Sequence, residues 1–368
     1  MLGVVAFLVV ASVVMLSHEV GHFAAAKAAG VRVDEFGLGL PPRIAVLANR
    51  HGTLYTLNAI PFGAFVNMPE ACHAMGDEAG GGSFRTKGLR ARFTILAAGP
   101  LMNVFLALVL LTLAFRSGYP EPLDYAVLVT GVADASPAGL AGIREGDLIL
   151  AIDGQEVEST EALKEAAAAR LGQEVCLTVR RPDAVEEVTV VPREDAGEGQ
   201  GPMGITIATV PITVKIKRHS WQAAFREGTS LALESMAFLV AVPILVATRL
   251  MPPSAVTPAG VPTIARALGQ AAEQGIGGGW WFPILRLAGV LSVSLAVTNL
   301  LPLPGLDGGR VLFLVLEALR GKSISLNREE KIHRIGLVIL LGMAFVLAAH
   351  ELLDPSPLVD WLSAVERR

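Results

Sequence analysis

The chain has 368 residues, 52% hydrophobic and 17% charged, with a formal net charge of −4. Soluble domains carry about 25% charged residues, so this composition, with a mean hydropathy of +0.53, argues against an ordinary soluble enzyme and for a multi-spanning membrane protein. The small net charge gives no sign of nucleic-acid binding, and Cys72 and Cys176 stand far apart outside any metal-spacing cluster, so neither a disulfide framework nor a structural zinc site is expected.

Residues 1–30 form the first predicted span. Leu2 to Ala26 exceeds the roughly 20 apolar residues that a membrane helix needs. No basic stretch precedes it, so it does not read as a secretory signal. Lys27 and Arg32 follow it, which places its start outside and its end inside. Near that end stands HEVGH, from His18 to His22. Positions i and i+4 share a helix face, so His18 and His22 can present two imidazoles to one metal ion. Glu19 lies beside them as a general base, in the H-E-x-x-H pattern. Ionisable groups inside a span cost a few kcal/mol each, so three within five positions demand a function.

Residues 31–70 are dense in Gly and Pro and alternate only in part: Leu54, Thr56 and Asn58 against Tyr55, Leu57 and Ala59. Such backbone is tolerated at membrane depth only where protein or a wet cavity covers it. Residues 71–92 are expected to be a cytoplasmic loop, because Arg85, Lys87, Arg90 and Arg92 put the start of the second span, 93–116, inside.

Over 118–209 charges return and the apolar runs shorten. Val127–Val132, Leu148–Ile152, Val175–Val179 and Glu187–Val191 read as strands, Asp153-Gly154 as a turn, and Ser159–Arg170 as a helix capped by Ser159. Residues 210–281 are expected to be an outer or interfacial linker with an amphipathic segment. Within them Leu231–Leu250 is apolar, but Glu234, Pro243 and Arg249 weaken it. The basic flanks also require an even number of crossings there. It is therefore predicted to lie along the interface, or to pack on other helices without spanning.

Trp280, Trp281 and Phe282 mark an outer aromatic belt ahead of the third span, 282–309, which ends in NLLPLPGLDGGR. Residues 310–334 carry Arg310, Arg320, Lys322, Arg328, Lys331 and Arg334 and are predicted to be a cytoplasmic loop. The fourth span is 335–353, followed by an outer tail, 354–368. The fold class is thus a multi-pass α-helical membrane protein of about four transmembrane helices, with an irregular segment over 31–70, either covered at membrane depth or a cytoplasmic loop, and one inserted α/β domain.

Catalytic zinc needs a third protein ligand and an open position. HEVGH starts about 24 Å along the first helix, toward the inner side of a hydrocarbon layer about 30 Å thick. Asp307 ends a span that enters from outside, so it reaches the same depth and is the expected third ligand. Pro302, Pro304, Gly305, Gly308 and Gly309 are predicted to unwind that helix end, which makes Pro302, Pro304 and Gly308 candidates for substrate contact. His51, His73, His219, His333 and His350 are isolated, so surface or packing roles are expected for them.

SPAGLAGIREGDLILAIDG, Ser136 to Gly154, resembles part of bacterial PDZ domains. These take up an extended peptide at a sheet edge, and Gly204–Ile207 is the expected flank of that groove. Taken together, HEVGH in an N-terminal membrane helix, the PDZ-like insertion and NLLPLPGLDGG in a later helix resemble the site-2 protease family of intramembrane zinc metalloproteases. The nearest branch is the bacterial regulator of sigma E protease. The resemblance implies that His18, His22 and Asp307 hold Zn2+, that Glu19 activates water, and that Asn299 positions substrate backbone. It implies that Gly37–Val66 is a membrane-reentrant β-hairpin that pairs with substrate as a strand. The implied activity is regulated intramembrane proteolysis in the bacterial inner membrane. Its substrates would be membrane-anchored single-pass proteins, such as anti-sigma factors or remnant signal peptides. The implied PDZ-like partners, outside, are peptide C-termini or substrate ectodomains; the bilayer is a further partner and nucleic acid is not.

This sequence departs from that branch in having one PDZ-like unit where two are frequent, and NMPEACHAMGDEAGGG stays unassigned. Two other readings are a non-catalytic PDZ-bearing membrane binding protein and a membrane zinc hydrolase of non-peptide substrates. The complete set of three ligands and base weighs against the first, and the PDZ-like insertion against the second.

Overall fold

The computed structural model describes residues 1–68, 82–181, 184–195, 201–251, 259–322 and 324–353. Most of the unassigned stretch, the start of the expected loop 71–92 and the whole tail 354–368 lie outside the described residues. In chain order the elements are α1 (Leu2–Ala28), β1 (Glu35–Arg50), β2 (Thr53–Asn67) and α2 (Leu89–Gly118). Then come β3 (Tyr119–Val132), α3 (Pro137–Leu140), β4 (Leu148–Ile152), β5 (Gln155–Glu156), α4 (Thr160–Ala168), β6 (Val175–Arg180), β7 (Val185–Val190) and β8 (Ile205–Lys217). The last helices are α5 (Trp221–Ala247), α6 (Val261–Gly278), α7 (Phe282–Leu300), α8 (Asp307–Arg320) and α9 (Leu326–Leu353). Two compact units result: Met1–Gly118 with Arg218–Arg368, and Tyr119–Lys217.

The first unit is a helical bundle with a small sheet. Among the described residues α1, α2, α5, α7 and most of α9 are long and apolar enough to cross a membrane. A helix pairs every backbone group within itself, which lipid requires. Ala6, Val10 and Val14 of α1 pack on Leu268 and Ala272 of α6 and Ala288 of α7. Ala107 and Leu111 of α2 pack on Ala232 of α5 and on Val293 and Val297 of α7.

Helix α5 packs on another helix, one of the two expectations for it. It runs antiparallel along α2: His219 N–H reaches the Phe115 carbonyl at 3.4 Å, and Gly228 lies against Leu111 and Thr112. The sequence reading counts about four spans; among the described residues five helices, α5 included, have the length and composition of a span. The packing of α5 rests on a stripe of small residues. Ala224, Gly228 and Ala232, spaced by four, are the buried residues of α5, and small residues let apolar helices approach closely. Flanking charge carries no information about that contact.

The third predicted span is also not continuous. Helix α7 stops at Leu300, residues 301–306 form a link, and Asp307 opens a separate helix, α8. Pro302 and Pro304 lack the N–H that would continue the ladder, and Gly305 has φ +98°. Gly308 and Gly309, expected to help unwind, are instead helical. Residues 310–334, expected to be a loop, hold most of α8 and the start of α9.

Strands β1 and β2 pair antiparallel and fold over on themselves. Residues 35–38 meet 64–67 on one side and 54–57 on the other, while 43–50 pair with 53–58. The result is four short rows from two long strands. Buried polar side chains are bonded inside it: the Thr53 hydroxyl donates to the Val33 carbonyl at 2.8 Å and that of Thr56 to Glu35 Oε1 at 2.6 Å.

The second unit is a six-stranded sheet in the order β7-β6-β4-β3-β8, with β5 on β4. Its core joins Val127, Val129, Ile149, Leu177 and Val179 to Leu163 of α4. The Ser159 hydroxyl caps α4 by accepting from Ala162 N–H at 3.1 Å, as read from the sequence. Strand β8 is an edge, and its Thr209 Oγ1 accepts from Thr160 N–H at the start of α4.

Helix α6 has no side-chain cap of its own. Glu351, near the end of α9 and only 4% exposed, accepts from Gly260 N–H at 2.5 Å and Thr263 N–H at 3.2 Å. Removing that carboxylate strands two donors, which costs about 1–3 kcal/mol. Glu351→Leu is expected to speed hydrogen exchange at the Gly260 and Thr263 amides while exchange in α2 stays as it was; equal exchange at all of them would rule out the cap.

Candidate metal centre

His18 and His22 are one turn apart on α1 and face α2. The close approach is set by two glycines. A Cβ on Gly21 would overlap the Ala98 carbonyl, and one on Gly99 would overlap both imidazoles. Helix α2 therefore lies directly on the ring faces. A Gly-Pro pair in the middle of an apolar helix was the sequence signal for this contact.

The His22 Nδ1 lies 2.8 Å from the Ile95 carbonyl oxygen. A carbonyl only accepts, so Nδ1 carries a hydrogen, and in the neutral ring Nε2 is then the lone pair that a metal needs. That Nε2 is 3.0 Å from His18 Nε2 and 3.2 Å from Asp307 Oδ2. His18 Nε2 is 2.9 Å from the same oxygen. Both histidines are 7% exposed. Three ligand atoms thus converge in a largely buried place. A cation at about 2.0–2.2 Å from each suits the donor set, and two imidazoles with one carboxylate is a catalytic zinc set. The Ile95 bond supplies the outer-shell orientation typical of a ligating histidine.

Asp307 is the first residue of α8, where the helix dipole favours a carboxylate. Glu19 lines the same cleft of about 430 Å³, and the backbone of Val66 on β2 hydrogen-bonds to its carboxylate. The structure thus brings together His18, His22, Asp307 and Glu19. It does not bring Asn299, Pro302, Pro304 or Gly308 to the cleft lining. Asn299 is half-buried in the last turn of α7, and Pro302 and Pro304 are exposed in the link. Gly308 is buried, where a Cβ would overlap the Leu300 and Leu301 carbonyls. From this motif Gly305, Leu306 and Asp307 line the cleft instead.

Val66, Met68, Arg310, His333 and Arg334 also line it, and sequence reasoning singled out none of them for the site. No spacing rule connects residues that meet only through folding. Gly99→Ala is expected to push the imidazoles apart and weaken zinc binding about 10- to 100-fold, the range of disturbed outer-shell contacts. Chelator competition on the purified protein measures it; an unchanged affinity would mean that α2 does not hold the rings.

The model of peptidase family M50 matches residues 6–343. A Clostridium perfringens protein named "Putative zinc metalloprotease" is 32% identical over 349 residues, covering 94% of this chain and 96% of its own. A protein of the same description from Nostoc is 30% identical over 380 residues, covering 98% and 99%. One from Agrobacterium fabrum is 29% identical, covering 92% and 93%. A crystal structure titled as the PDZ domain of an SdrC-like protein from Listeria monocytogenes covers 22% of this chain and 85% of its own, at 27% identity and a TM-score of 0.20. The match across nearly the whole length, over helices long enough to span and a buried His-His-Asp cluster beside a glutamate, shows that the chain belongs to peptidase family M50, the site-2 proteases, and is a membrane zinc metalloprotease.

Proposed function

We propose that this protein cleaves peptide bonds within or beside the transmembrane segments of membrane-anchored single-pass proteins. The observation that carries this reading is the convergence of His18, His22 and Asp307 next to Glu19, in a helical bundle and beside a sheet edge. When bound by those three residues, zinc supplies a Lewis acid for the scissile carbonyl and lowers the pKa of water at the site. The chain's own residues do the rest. Glu19 takes a proton from the attacking water and delivers it to the leaving amide nitrogen, so that water adds across the broken C–N bond. Nδ1–H of His22, donating to Ile95, keeps its ring in register.

A substrate helix hides its carbonyls in hydrogen bonds and must unwind before attack. Among the described residues, 64–67 have a sheet partner, 35–38, on one side only. This edge ends at Val66 and Asn67, next to Glu19. A substrate added there as a strand would exchange its helical bonds for sheet bonds and arrive extended. Asn299, Pro302, Pro304 and Gly308 belong to the surrounding link and helix ends; their proposed part is to shape the approach.

The flanking Lys and Arg residues favour the bacterial cytoplasmic membrane with the site near the cytoplasmic face. By the same charge argument the chain leaves the second span, near Gly118, on the outer side, so the unit Tyr119–Lys217 would be extracytoplasmic. Its edge strand β8 beside α4 suits an extended peptide, either a C-terminus or part of a substrate ectodomain. Regulated cleavage of anti-sigma factors or remnant signal peptides, as in the sigma E branch, is the proposed setting.

Glu19→Gln keeps the size of the side chain and removes the base. Cleavage of a membrane-anchored polypeptide in vesicles is expected to fall about 10²- to 10⁴-fold, with zinc content unchanged and the uncut substrate accumulating as a crosslinkable complex. Wild-type turnover by that variant would sink the assignment.

A further inference from the structure

His333 of α9 lies outside the proposed ligand set, yet it touches the backbone on both sides of Asp307. Ahead of Asp307, the Gly305 N–H donates to His333 Nδ1 at 2.9 Å. Behind it, the ring meets Phe313 of α8 edge-on, with centroids 5.4 Å apart and planes at 73°. A Cβ placed on Gly309 would come within 3.2 Å of its Cε1. One imidazole therefore bridges the link 301–306 to α8, and Asp307 is the joint between them.

Within the link Leu303 N–H bonds the Leu301 carbonyl at 2.7 Å and Leu306 N–H that of Leu303 at 3.3 Å. Pro302 and Pro304 have no N–H, and Gly305, at φ +98°, sends its N–H out of the link to His333. The link's external support is α9. A Cβ on Gly305 would sit 2.9 Å from the Leu337 nitrogen, and one on Gly336 would overlap the Pro304 carbonyl. Helix α9 is thus seated on the two residues ahead of Leu306 and Asp307, and the His333 hydrogen bond sets the height of that seat. A ligand carboxylate displaced by a fraction of an ångström loses its share of the ion, because metal–oxygen distances are held within about 0.2 Å.

We infer that His333 is a positioning residue for Asp307: by accepting from Gly305 and packing on Gly309 and Phe313, it fixes the carboxylate at the point where His18 and His22 converge, and so sets zinc affinity and turnover. This rests on the reading of Asp307 as a zinc ligand.

The test uses the full-length protein in lipid nanodiscs, with zinc affinity read by chelator competition and cleavage kinetics on a membrane-anchored polypeptide. His333→Leu keeps bulk and removes the acceptor. It is expected to weaken zinc binding and lower kcat, each by about tenfold or more, with KM changed less than about twofold. His333→Asn places an amide oxygen near the former Nδ1 and is expected to recover both to within about threefold of wild type. Gly336→Ala, which pushes α9 off Pro304 with His333 intact, is expected to show the same zinc deficit. If His333→Leu binds zinc and turns over as wild type, or if Asn does no better than Leu, the inference is overturned. Should His333→Leu not fold, Gly336→Ala decides: weakened zinc supports the inference and unchanged zinc overturns it. Asp307→Asn is measured alongside. If it leaves zinc affinity intact, the ligand set itself is wrong; if it abolishes tight binding while His333→Leu does not, only the role of His333 fails.

Discussion

Two imidazole nitrogens and a carboxylate oxygen, all within 3.2 Å of one another in a buried place, form the constraint on which this molecule depends. The hydrogen on His22 Nδ1 faces a carbonyl, which in the neutral ring leaves Nε2 free for a cation. A shared cation suits all three atoms. Ion binding and the packing of α1, α2 and α8 are therefore coupled, as they are wherever a metal site exists only in the folded state.

The helices are arranged to make that convergence possible in an apolar setting. Helix α2 approaches the histidines at glycines, and α5 docks through Ala224, Gly228 and Ala232. In lipid there is little hydrophobic gain from helix association, so close packing of small residues and a few interhelical hydrogen bonds carry it. Examples are Ser292 to the Asn103 carbonyl at 2.8 Å and Glu351 to the start of α6. The ligand-bearing link is different. It is short and rich in proline, and it is held both by two turn bonds of its own, Leu303 to Leu301 and Leu306 to Leu303, and by its seat on α9.

In the proposed function the folded-over sheet would answer the other demand of the chemistry. A bond buried in a helix cannot be attacked until the helix opens, and an open strand in lipid is costly unless its N–H and C=O groups find partners. In the proposed function a sheet edge beside Glu19 would offer those partners. The three candidate ligands, Glu19 and that edge all belong to the bundle unit, while the second unit presents an edge of its own, β8 against α4.

Much of this was legible in the sequence because it is local. HEVGH is read from helical periodicity alone, and the short apolar runs with Ser159 ahead of a helix described the second unit closely. Asp307 was reached by a depth argument, since membrane thickness turns sequence distance into height. The break at 301–306 was expected from Pro302, Pro304 and Gly305, but the separate helix α8 that begins at Asp307, the helix against which α5 packs, and the contacts of Gly99, Val66 and His333 were decided only by tertiary structure. The physical reason is common to all of them. Periodicity and flanking charge report how a segment meets solvent or lipid, whereas the facing of one segment by another depends on close approach between residues far apart in the chain.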